Sequence, residues 1–300
     1  MSENKIDVIY ILSEKSSGSS FLFRSLRDGL GVTKYPKTHH FESETLYWTK
    51  AASILDRPQV KMLASAVPYE KERAKRELKH FLDTNLNSPL VYNSDEEMIF
   101  NGWYALIKEF GPVFIEKSPH HLLQWSALEL MLEFEQRFSH LVTCHYVGIV
   151  RNPKEVLLSQ FRRWNLAPEK LENQWLMTYM NWQRLSSVLD IKGQVELIRY
   201  EDLTRAPKHV IESLCNSMNL PCKFNGIESS KKSKASKYHS LFGYQFSQSV
   251  LSLTNLQGYT QESVQGKISY KWKCYRLYIS YIYSPLKFIY LKMKKAISKI

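Results

Sequence analysis

Residues 6–30, with the sequence IDVIYILSEKSSGSSFLFRSLRDGL, contain the pattern that decides the fold. The apolar run from Val8 to Leu12 predicts a buried parallel strand. A short polar loop, residues 13–20, follows this run and contains one glycine. Apolar side chains then recur at helical spacing, at Phe21, Leu22, Leu26 and Leu30. The segment is therefore predicted to fold as a strand, a tight loop and a helix.

The loop has the chemistry of an anion site. A tight turn into a helix presents unpaired backbone N–H groups and partial positive charge, which favour phosphate or sulfate. The hydroxyls of Ser16, Ser17, Ser19 and Ser20, together with Lys15, strengthen this preference. From the loop alone, a Ser/Gly connection that binds nothing is an equally weighted alternative. The Walker pattern GxxxxGK[ST] is absent because two serines follow Gly18, which argues against an ordinary ATPase or kinase and favours another kind of nucleotide.

Two further strands are predicted from apolar runs. Residues 113–119, VFIEKSP, predict a short strand that ends in a charged turn, and residues 141–150, LVTCHYVGIV, predict a central buried strand. Ligands of open α/β sheets gather at the carboxyl ends of the strands, so Glu116 and Lys117 are candidates for a functional pair. A surface salt bridge is the plainer alternative.

The segment after the central strand carries strong helix-start signals. Asn152 suits an N-cap, Pro153 suits the first helical position, and Glu155 stands where a capping-box carboxylate reaches back. Arg151 is thereby placed at the mouth of the sheet, with Ser159 in the second helical turn. A guanidinium group there is suited to binding a phosphate in bidentate fashion. An arginine that only anchors the helix is the open alternative.

Helical periodicity recurs between these strands. Helices are predicted at residues 44–55, 68–86 and 94–110 and around residues 122–132, and a short extended segment is predicted at residues 32–41, VTKYPKTHHF. Strands that alternate with helices indicate an α/β fold with a parallel sheet.

Length and charge limit the classes of function. The 300 residues, 44% of them hydrophobic, predict one large domain over residues 1–262 and a basic aromatic tail over residues 263–300. The net charge is +12, but nine of the 41 basic residues and no acidic residue follow Glu262. The remainder has 32 basic against 29 acidic residues, a net charge of +3. A nucleic-acid partner is therefore not expected.

Three absences favour a cytoplasmic protein. The polar start MSENKID runs directly into the first strand, which leaves no room for a secretory segment. The four cysteines have no metal-ligand spacing, and no Asn-x-Ser/Thr sequon occurs. No metal is expected.

Four motifs together resemble the sulfotransferases that use 3′-phosphoadenosine 5′-phosphosulfate (PAPS) as donor. They are the Ser-Gly-Ser-Ser loop, the EKSP turn, the Arg-x7-Ser spacing in RNPKEVLLS, and VELIRYEDLTRAPKHVIESLCNSMNLP over residues 195–221. The resemblance covers residues 6–225 in the family's order, and four motifs are far more specific than one. Within the family, KTHHF is similar to the K-E-x-H-F-F segment of heparan sulfate sulfotransferases, and EKSP to their E-K-[ST] turn. The resemblance implies a P-loop-like three-layer α/β domain whose central parallel sheet is flanked by helices.

The resemblance also implies which residues bind the donor. The loop would wrap the 5′-phosphosulfate, Arg151 and Ser159 would hold the 3′-phosphate, and Lys15 would neutralise charge on the bridging oxygen. The family usually places this cation two residues before the loop glycine, where this chain has Ser16, and Lys15 comes one residue earlier. The implied donor-binding residues are Lys15, Ser16, Ser17, Gly18, Ser19, Ser20, Arg151 and Ser159.

For the acceptor, the resemblance places a histidine base at His40. The family's glutamate falls on Thr38, so Glu42 and Glu44 are substitutes by sequence proximity only. The implied catalytic residues are His40, Lys15 and Lys117, and the implied substrate-binding residues are Lys37, His40, Glu42, Glu116 and Lys117.

The predicted function is that of an enzyme which moves a sulfuryl group from PAPS to an acceptor hydroxyl, on a saccharide or glycolipid. The alternative is a non-catalytic protein of the same fold that binds a membrane surface. For the tail, Ser284 and Pro285 predict the start of a helix to Ile300, with apolar residues on one face and lysines on the other. Peripheral attachment to an anionic membrane and packing on the domain are equally weighted for this helix.

Overall fold

A computed structural model describes residues 5–38, 40, 43–189, 195–222, 242–267 and 269–297, and side chains up to residue 294. Glu42 and most of the serine- and lysine-rich stretch that begins at residue 226 lie outside the described residues.

Four parallel strands form the described sheet, in the order β2-β1-β3-β4. Ile9 of β1 lies opposite Ile115 on one side and His145 on the other, and Ile149 of β3 lies opposite Ile198. The strands are β1 (Ile6–Ser13), β2 (Val113–Lys117), β3 (Val142–Val150) and β4 (Val195–Arg199). The predicted α/β fold around a parallel sheet is confirmed.

Helices cover both faces of the sheet. The described helices are α1 (Ser19–Gly29), α2 (Tyr47–Ile54), α3 (Lys71–Asn85), α4 (Asp95–Phe110), α5 (Trp125–Phe138), α6 (Pro153–Trp164), α7 (Pro168–Leu189), α8 (Tyr200–Arg205), α9 (Pro207–Ser217), α10 (Gln248–Leu256), α11 (Gln261–Val264), α12 (Tyr270–Tyr278) and α13 (Ser284–Ile297).

Alternate residues of β1 pack against helices on the two opposite faces of the sheet. Ile9 and Ile11 belong to a buried cluster with Leu22 of α1 and Ile211 of α9. On the opposite face Tyr10 lies over Trp103 of α4, and the indole N–H donates to the Tyr10 hydroxyl at 2.9 Å. Because successive side chains of a strand point to opposite faces, the buried residues 8–12 of β1 need apolar layers on both sides.

The predicted start of α6 is confirmed. The Asn152 side chain accepts a hydrogen bond from the backbone N–H of Lys154 at 3.0 Å, and Pro153 is the first helical residue. The Glu155 carboxylate lies 3.4 Å from the Arg151 guanidinium, an i,i+4 ion pair that the capping-box prediction did not include. The first turn of α6 therefore positions Arg151 directly after β3.

The prediction that Ser284 caps a separate C-terminal helix is wrong. The helix is continuous from Tyr270 through a π-helical turn, Ile279–Tyr283, into α13, and Ser284 has helical backbone angles. The Ser284 N–H donates to the carbonyl of Ile279, five residues back. This wider turn accommodates Pro285, which lacks an N–H and would break an ordinary helix. The cap is Ser269, whose side chain accepts from the Trp272 N–H.

Contacts divide the chain into two compact units. The first comprises residues 1–150 with 177–230, and the second comprises residues 151–176 with 231–300. The first unit contains the whole described sheet. In the second, the rings of Trp272 and Tyr275 lie 5.6 and 6.4 Å from the Phe161 ring of α6. The predicted boundary after residue 262 is tested by none of these contacts and stays a prediction.

Candidate functional site

The loop between β1 and α1 has the tight geometry that its sequence predicts. Ser16 and Gly18 have left-handed backbone angles, with φ of 66° and 95°. A Cβ atom added to Gly18 would lie 2.2 Å from the Tyr200 ring. Both the positive φ and the close approach of Tyr200 require glycine here. The chain thus turns directly into α1 and presents the helix N-terminus.

Two buried side chains of the loop form hydrogen bonds that fix its conformation. The Ser17 hydroxyl is fully buried and lies 3.1 Å from the Tyr179 hydroxyl, which donates to the carbonyl of Ile149 at 2.9 Å. Glu14, also buried, accepts a hydrogen bond from Thr178 at 2.8 Å. Ser17 therefore shapes the loop through its side chain, and the contact with the donor implied by the resemblance stays a prediction.

The Lys15 ammonium group is anchored by a second loop. It donates hydrogen bonds to the backbone oxygens of Leu63 and Ala64, the latter at 3.5 Å, and Lys15 is 7% exposed. The one-residue displacement noted in the sequence thus places this cation against residues 63–64. Its charge still acts on the site, since it is one of the causes of a lowered pKa at His120.

Lys117 joins the EKSP turn to the loop at residues 13–20, which we call the anion loop. It is the last residue of β2 and pairs in register with Ile11 of β1, so it emerges beside the loop. Its fully buried side chain places Nζ 3.3 Å from the Ser20 hydroxyl and 3.1 Å from Oε1 of Glu44. Two motifs that are 97 residues apart in the chain therefore meet at one point.

Glu116 has a different environment from its neighbour. It is fully buried and accepts hydrogen bonds from the hydroxyls of Thr45 and Ser118, each at 2.7 Å, and its other oxygen lies 3.4 Å from Nδ1 of His121. Burial alone would raise the pKa of Glu116, but the charge of His121 and these hydrogen bonds outweigh it and lower the pKa. Glu116 thus organises the turn, and the substrate contact implied by the resemblance stays a prediction.

The other residues that the resemblance assigns to the acceptor are less enclosed. The Asn85 side-chain amide anchors the backbone of Lys37: its oxygen accepts from the Lys37 N–H at 2.6 Å and its nitrogen donates to the Lys37 carbonyl at 2.9 Å. The Lys37 side chain is exposed. The backbone oxygen of His40 accepts from the Thr38 hydroxyl at 3.0 Å. The charge of His40 contributes to the lowered pKa of His120, so the two imidazoles belong to one electrostatic cluster.

Sequence reasoning missed His120 and underrated Glu44. Nδ1 of His120 lies 3.9 Å from Oε2 of Glu44, and the other oxygen of that carboxylate binds Lys117. The signal available in the sequence is the histidine pair that directly follows Lys117-Ser118-Pro119. The partner was hidden because Glu44 is distant in sequence and was placed inside a helix that begins only at Tyr47.

In the second unit, Arg151 and Ser159 line one cavity of about 290 Å³. Its other lining residues are Glu155, Leu158, Arg162, Arg163, Tyr283 and Lys287. Four cationic side chains against one carboxylate give the cavity a positive charge that suits an anion such as phosphate. The arginines at 162 and 163 were not predicted, although one of them follows Ser159 at helical i,i+3 spacing.

The parallel sheet, the tight loop after its first strand and the buried cation beside that loop define a P-loop-like α/β protein. Residues 8–224 match the sulfotransferase family model. This match spans well over half of the chain, so the chain belongs to the sulfotransferase family and is a sulfotransferase enzyme.

Solved structures also resemble the chain. The sulfotransferase domain from the Synechococcus PCC 7002 olefin synthase has 20% identity and a TM-score of 0.46, covering 73% of this chain and 74% of that one. The sulfotransferase domain from the curacin biosynthetic pathway has 21% identity and a TM-score of 0.45, covering 73% and 76%. A sulfotransferase from Alicyclobacillus acidocaldarius has 15% identity and a TM-score of 0.40, covering 73% and 85%. Among proteins with curated functions, none matches the chain.

Glu116→Gln tests the electrostatic description of the turn. The variant should be about 1.5–3 kcal/mol less stable at neutral pH, because it replaces an ionised acceptor of buried hydrogen bonds. A carboxylate whose folded pKa is lowered stabilises the fold above its ordinary pKa of 4.5 and loses that contribution as the pH falls. The free energy of unfolding of the wild type should therefore decrease more steeply below about pH 4.5 than that of the variant.

Urea unfolding at a series of pH values measures how steeply the free energy of unfolding changes with pH in the wild type and in the variant. Exposed Glu72→Gln is the matched control for the loss of one carboxylate. Identical slopes for the wild type and Glu116→Gln would contradict the description.

Proposed function

We propose that this sulfotransferase moves a sulfuryl group from PAPS to a hydroxyl of a saccharide or glycolipid. The observation that carries the proposal is the contact of buried Lys117 with Ser20 of the anion loop. A fixed cation beside a loop of backbone N–H groups is suited to charge that develops on a transferring group.

The described residues fit the proposed donor. The loop after β1 offers the helix N-terminus and the hydroxyls of Ser16, Ser19 and Ser20 to a phosphosulfate. The cavity lined by Arg151 and Ser159 has the positive charge that a 3′-phosphate requires. When bound, PAPS supplies an activated sulfuryl group and a nucleotide phosphate as leaving group.

The proposed roles of the basic residues follow from their places. Lys117 faces the loop and stabilises negative charge on the sulfuryl oxygens. Lys15, held beside the loop by the carbonyls of residues 63–64, contributes positive charge on the leaving-group side. His40 and the exposed Lys37 belong to the acceptor side, as does Glu42, which lies outside the described residues.

The saccharide or glycolipid acceptor is supported by the similarity of the KTHHF and EKSP segments to heparan sulfate sulfotransferases. Both segments contribute to the electrostatic cluster around His120, through His40 and Lys117. The exposed Lys37 side chain at the start of KTHHF is suited to an anionic sugar.

Arg151→Ala tests the donor. The variant should lose about 1.5–3 kcal/mol of binding free energy for 3′-phosphoadenosine 5′-phosphate, because it removes a charge-assisted contact. Its affinity for adenosine 5′-phosphate, which lacks the 3′-phosphate, should change little. Calorimetric titration of both nucleotides into the wild type and the variant measures this difference.

Exposed Arg205→Ala is the matched control, because it removes a guanidinium from the first unit. Equal affinity of the wild type for the two nucleotides would refute PAPS as donor. Tighter binding of ATP than of either nucleotide would favour a kinase.

A second candidate function, binding to a membrane surface, is favoured by the C-terminal helix. The side chains of Trp272 and Tyr275 in α12 are buried, as is that of Ile279, the residue after α12. In α13, four apolar side chains at i, i+3, i+4 and i+7 spacing are each more than half exposed, namely Leu286, Ile289, Tyr290 and Met293. The chain has no acidic residue after Glu262, so this apolar face suits an anionic surface.

Other side chains of α13 lie beside residues of its own unit, although Phe288 and Leu291 among them are at least half exposed. Ser284, Lys287, Phe288 and Leu291 line a cavity with residues 163–165. No helix among the described residues has the length and apolar composition to span a bilayer. We propose that the enzyme is cytoplasmic and attaches peripherally to membranes through the exposed face of α13.

Replacing both Ile289 and Met293 by Gln should abolish cosedimentation with vesicles that contain anionic lipid. Membrane binding would bury the exposed apolar face of α13. Each lysine near an anionic surface adds about 1 kcal/mol to the binding free energy. The wild type should cosediment at low salt and dissociate as salt rises.

The matched control replaces Val91 and Val188, two exposed valines of the first unit, by Gln. Failure of the wild type to bind anionic vesicles at low salt would rule out the membrane surface.

A further inference from the structure

His120 and Glu44 lie close together, with side chains that are 12% and 21% exposed and with the carboxylate on the Nδ1 side of the ring. Nδ1 of His120 is buried and lies 3.9 Å from Oε2 of Glu44. The His120 side chain is 12% exposed, and since Nδ1 is buried the exposed surface belongs to the rest of the side chain. A carboxylate on the Nδ1 side favours the tautomer with the proton on Nδ1, in which Nε2 can accept a proton.

The position of His120 in the chain fixes it beside the proposed transfer site. It is three residues after Lys117, whose Nζ contacts both the loop serine Ser20 and the same Glu44 carboxylate. The Ser118 hydroxyl, which donates to Glu116, accepts from the Leu46 N–H at 3.0 Å and ties the turn to the start of α2. The turn that carries His120 and the segment that carries Glu44 are thus linked by two contacts, Ser118 with Leu46 and Lys117 with Glu44.

The charges around His120 keep its imidazole neutral. Burial, followed by the charges of Lys15, His121, His40 and Lys117, lowers the pKa of His120 well below 6.5. Glu44 is the carboxylate that faces it. A neutral imidazole near the ammonium groups of Lys15 and Lys117 is available as a proton acceptor throughout the neutral range.

We propose that His120, oriented by Glu44, takes the proton from the acceptor hydroxyl during sulfuryl transfer. The inference rests on the proposed function. As the acceptor oxygen forms its bond to sulfur, the bond from sulfur to the bridging oxygen of PAPS breaks. That electron pair leaves with 3′-phosphoadenosine 5′-phosphate, and the hydroxyl proton moves to Nε2 of His120 and then to water.

This assignment differs from the one implied by sequence resemblance, which gave the base to His40. A general base works best when a third group orients it. For His120 that group is Glu44, whose Oε2 lies 3.9 Å from Nδ1, longer than a hydrogen bond. Contacts of this kind at catalytic sites often tighten only when substrate binds. His40 is assigned to the acceptor side, where its charge also lowers the pKa of His120.

His120→Ala separates base catalysis from a structural role when two acceptors are compared with labelled PAPS. Galactosylceramide carries alcohol hydroxyls that must lose a proton, whereas 4-nitrophenol is largely ionised at mildly alkaline pH. Turnover of the galactosylceramide should fall by roughly 100- to 10,000-fold, and turnover of the nitrophenol should fall far less. Added imidazole should restore part of the lost turnover by entering the space left by the side chain.

Exposed His140→Ala is the matched control, and affinity for 3′-phosphoadenosine 5′-phosphate should be the same in all three proteins. Added imidazole should not restore turnover to His40→Ala, which is measured alongside. Equal losses on both acceptors without imidazole rescue, or normal turnover of the galactosylceramide, would overturn the role of His120. A wild type that transfers label to neither acceptor would instead refute the proposed function, and the role of His120 with it.

Discussion

The burial of the Lys117 ammonium group is the constraint on which the site depends. Removing such a cation from water costs several kcal/mol unless nearby groups compensate it. Here the compensation comes from Glu44 at 3.1 Å and the Ser20 hydroxyl at 3.3 Å. These contacts tie the end of β2 to the anion loop and to the segment before α2. The same Glu44 carboxylate then reaches His120, so one buried charge organises the whole cluster.

The parts of the fold that depend on local pattern could be predicted from the sequence. The strand, loop and helix of residues 6–30 follow from an apolar run, a Ser/Gly turn and helical spacing, and β1 and α1 confirm them. The Asn152 cap is likewise a local signal. Parallel strands bring their carboxyl ends to one edge, which is why the loop and Lys117 could be placed near each other.

Contacts between distant segments could not be predicted in this way. Glu44 and Lys117 are 73 residues apart, and only the folded chain shows that they pair. The sequence also treats all loop serines alike, whereas Tyr179 draws the Ser17 hydroxyl inward. Ser284 and Pro285 have the pattern of a helix start, but the preceding π-helical turn lets the helix continue through them. In each case tertiary packing or a longer-range backbone bond overrides the local signal.

The most direct test of the central claim is the turnover of Lys117→Met with labelled PAPS, compared with that of the wild type. Methionine fills a similar volume without charge, so the fold should persist while stabilisation of the transferring group is lost. We predict a fall in turnover of roughly 100- to 1,000-fold, as for removal of one fixed donor at a developing charge. Circular dichroism of the folded variant provides the control. A folded Lys117→Met protein with wild-type turnover would contradict the account.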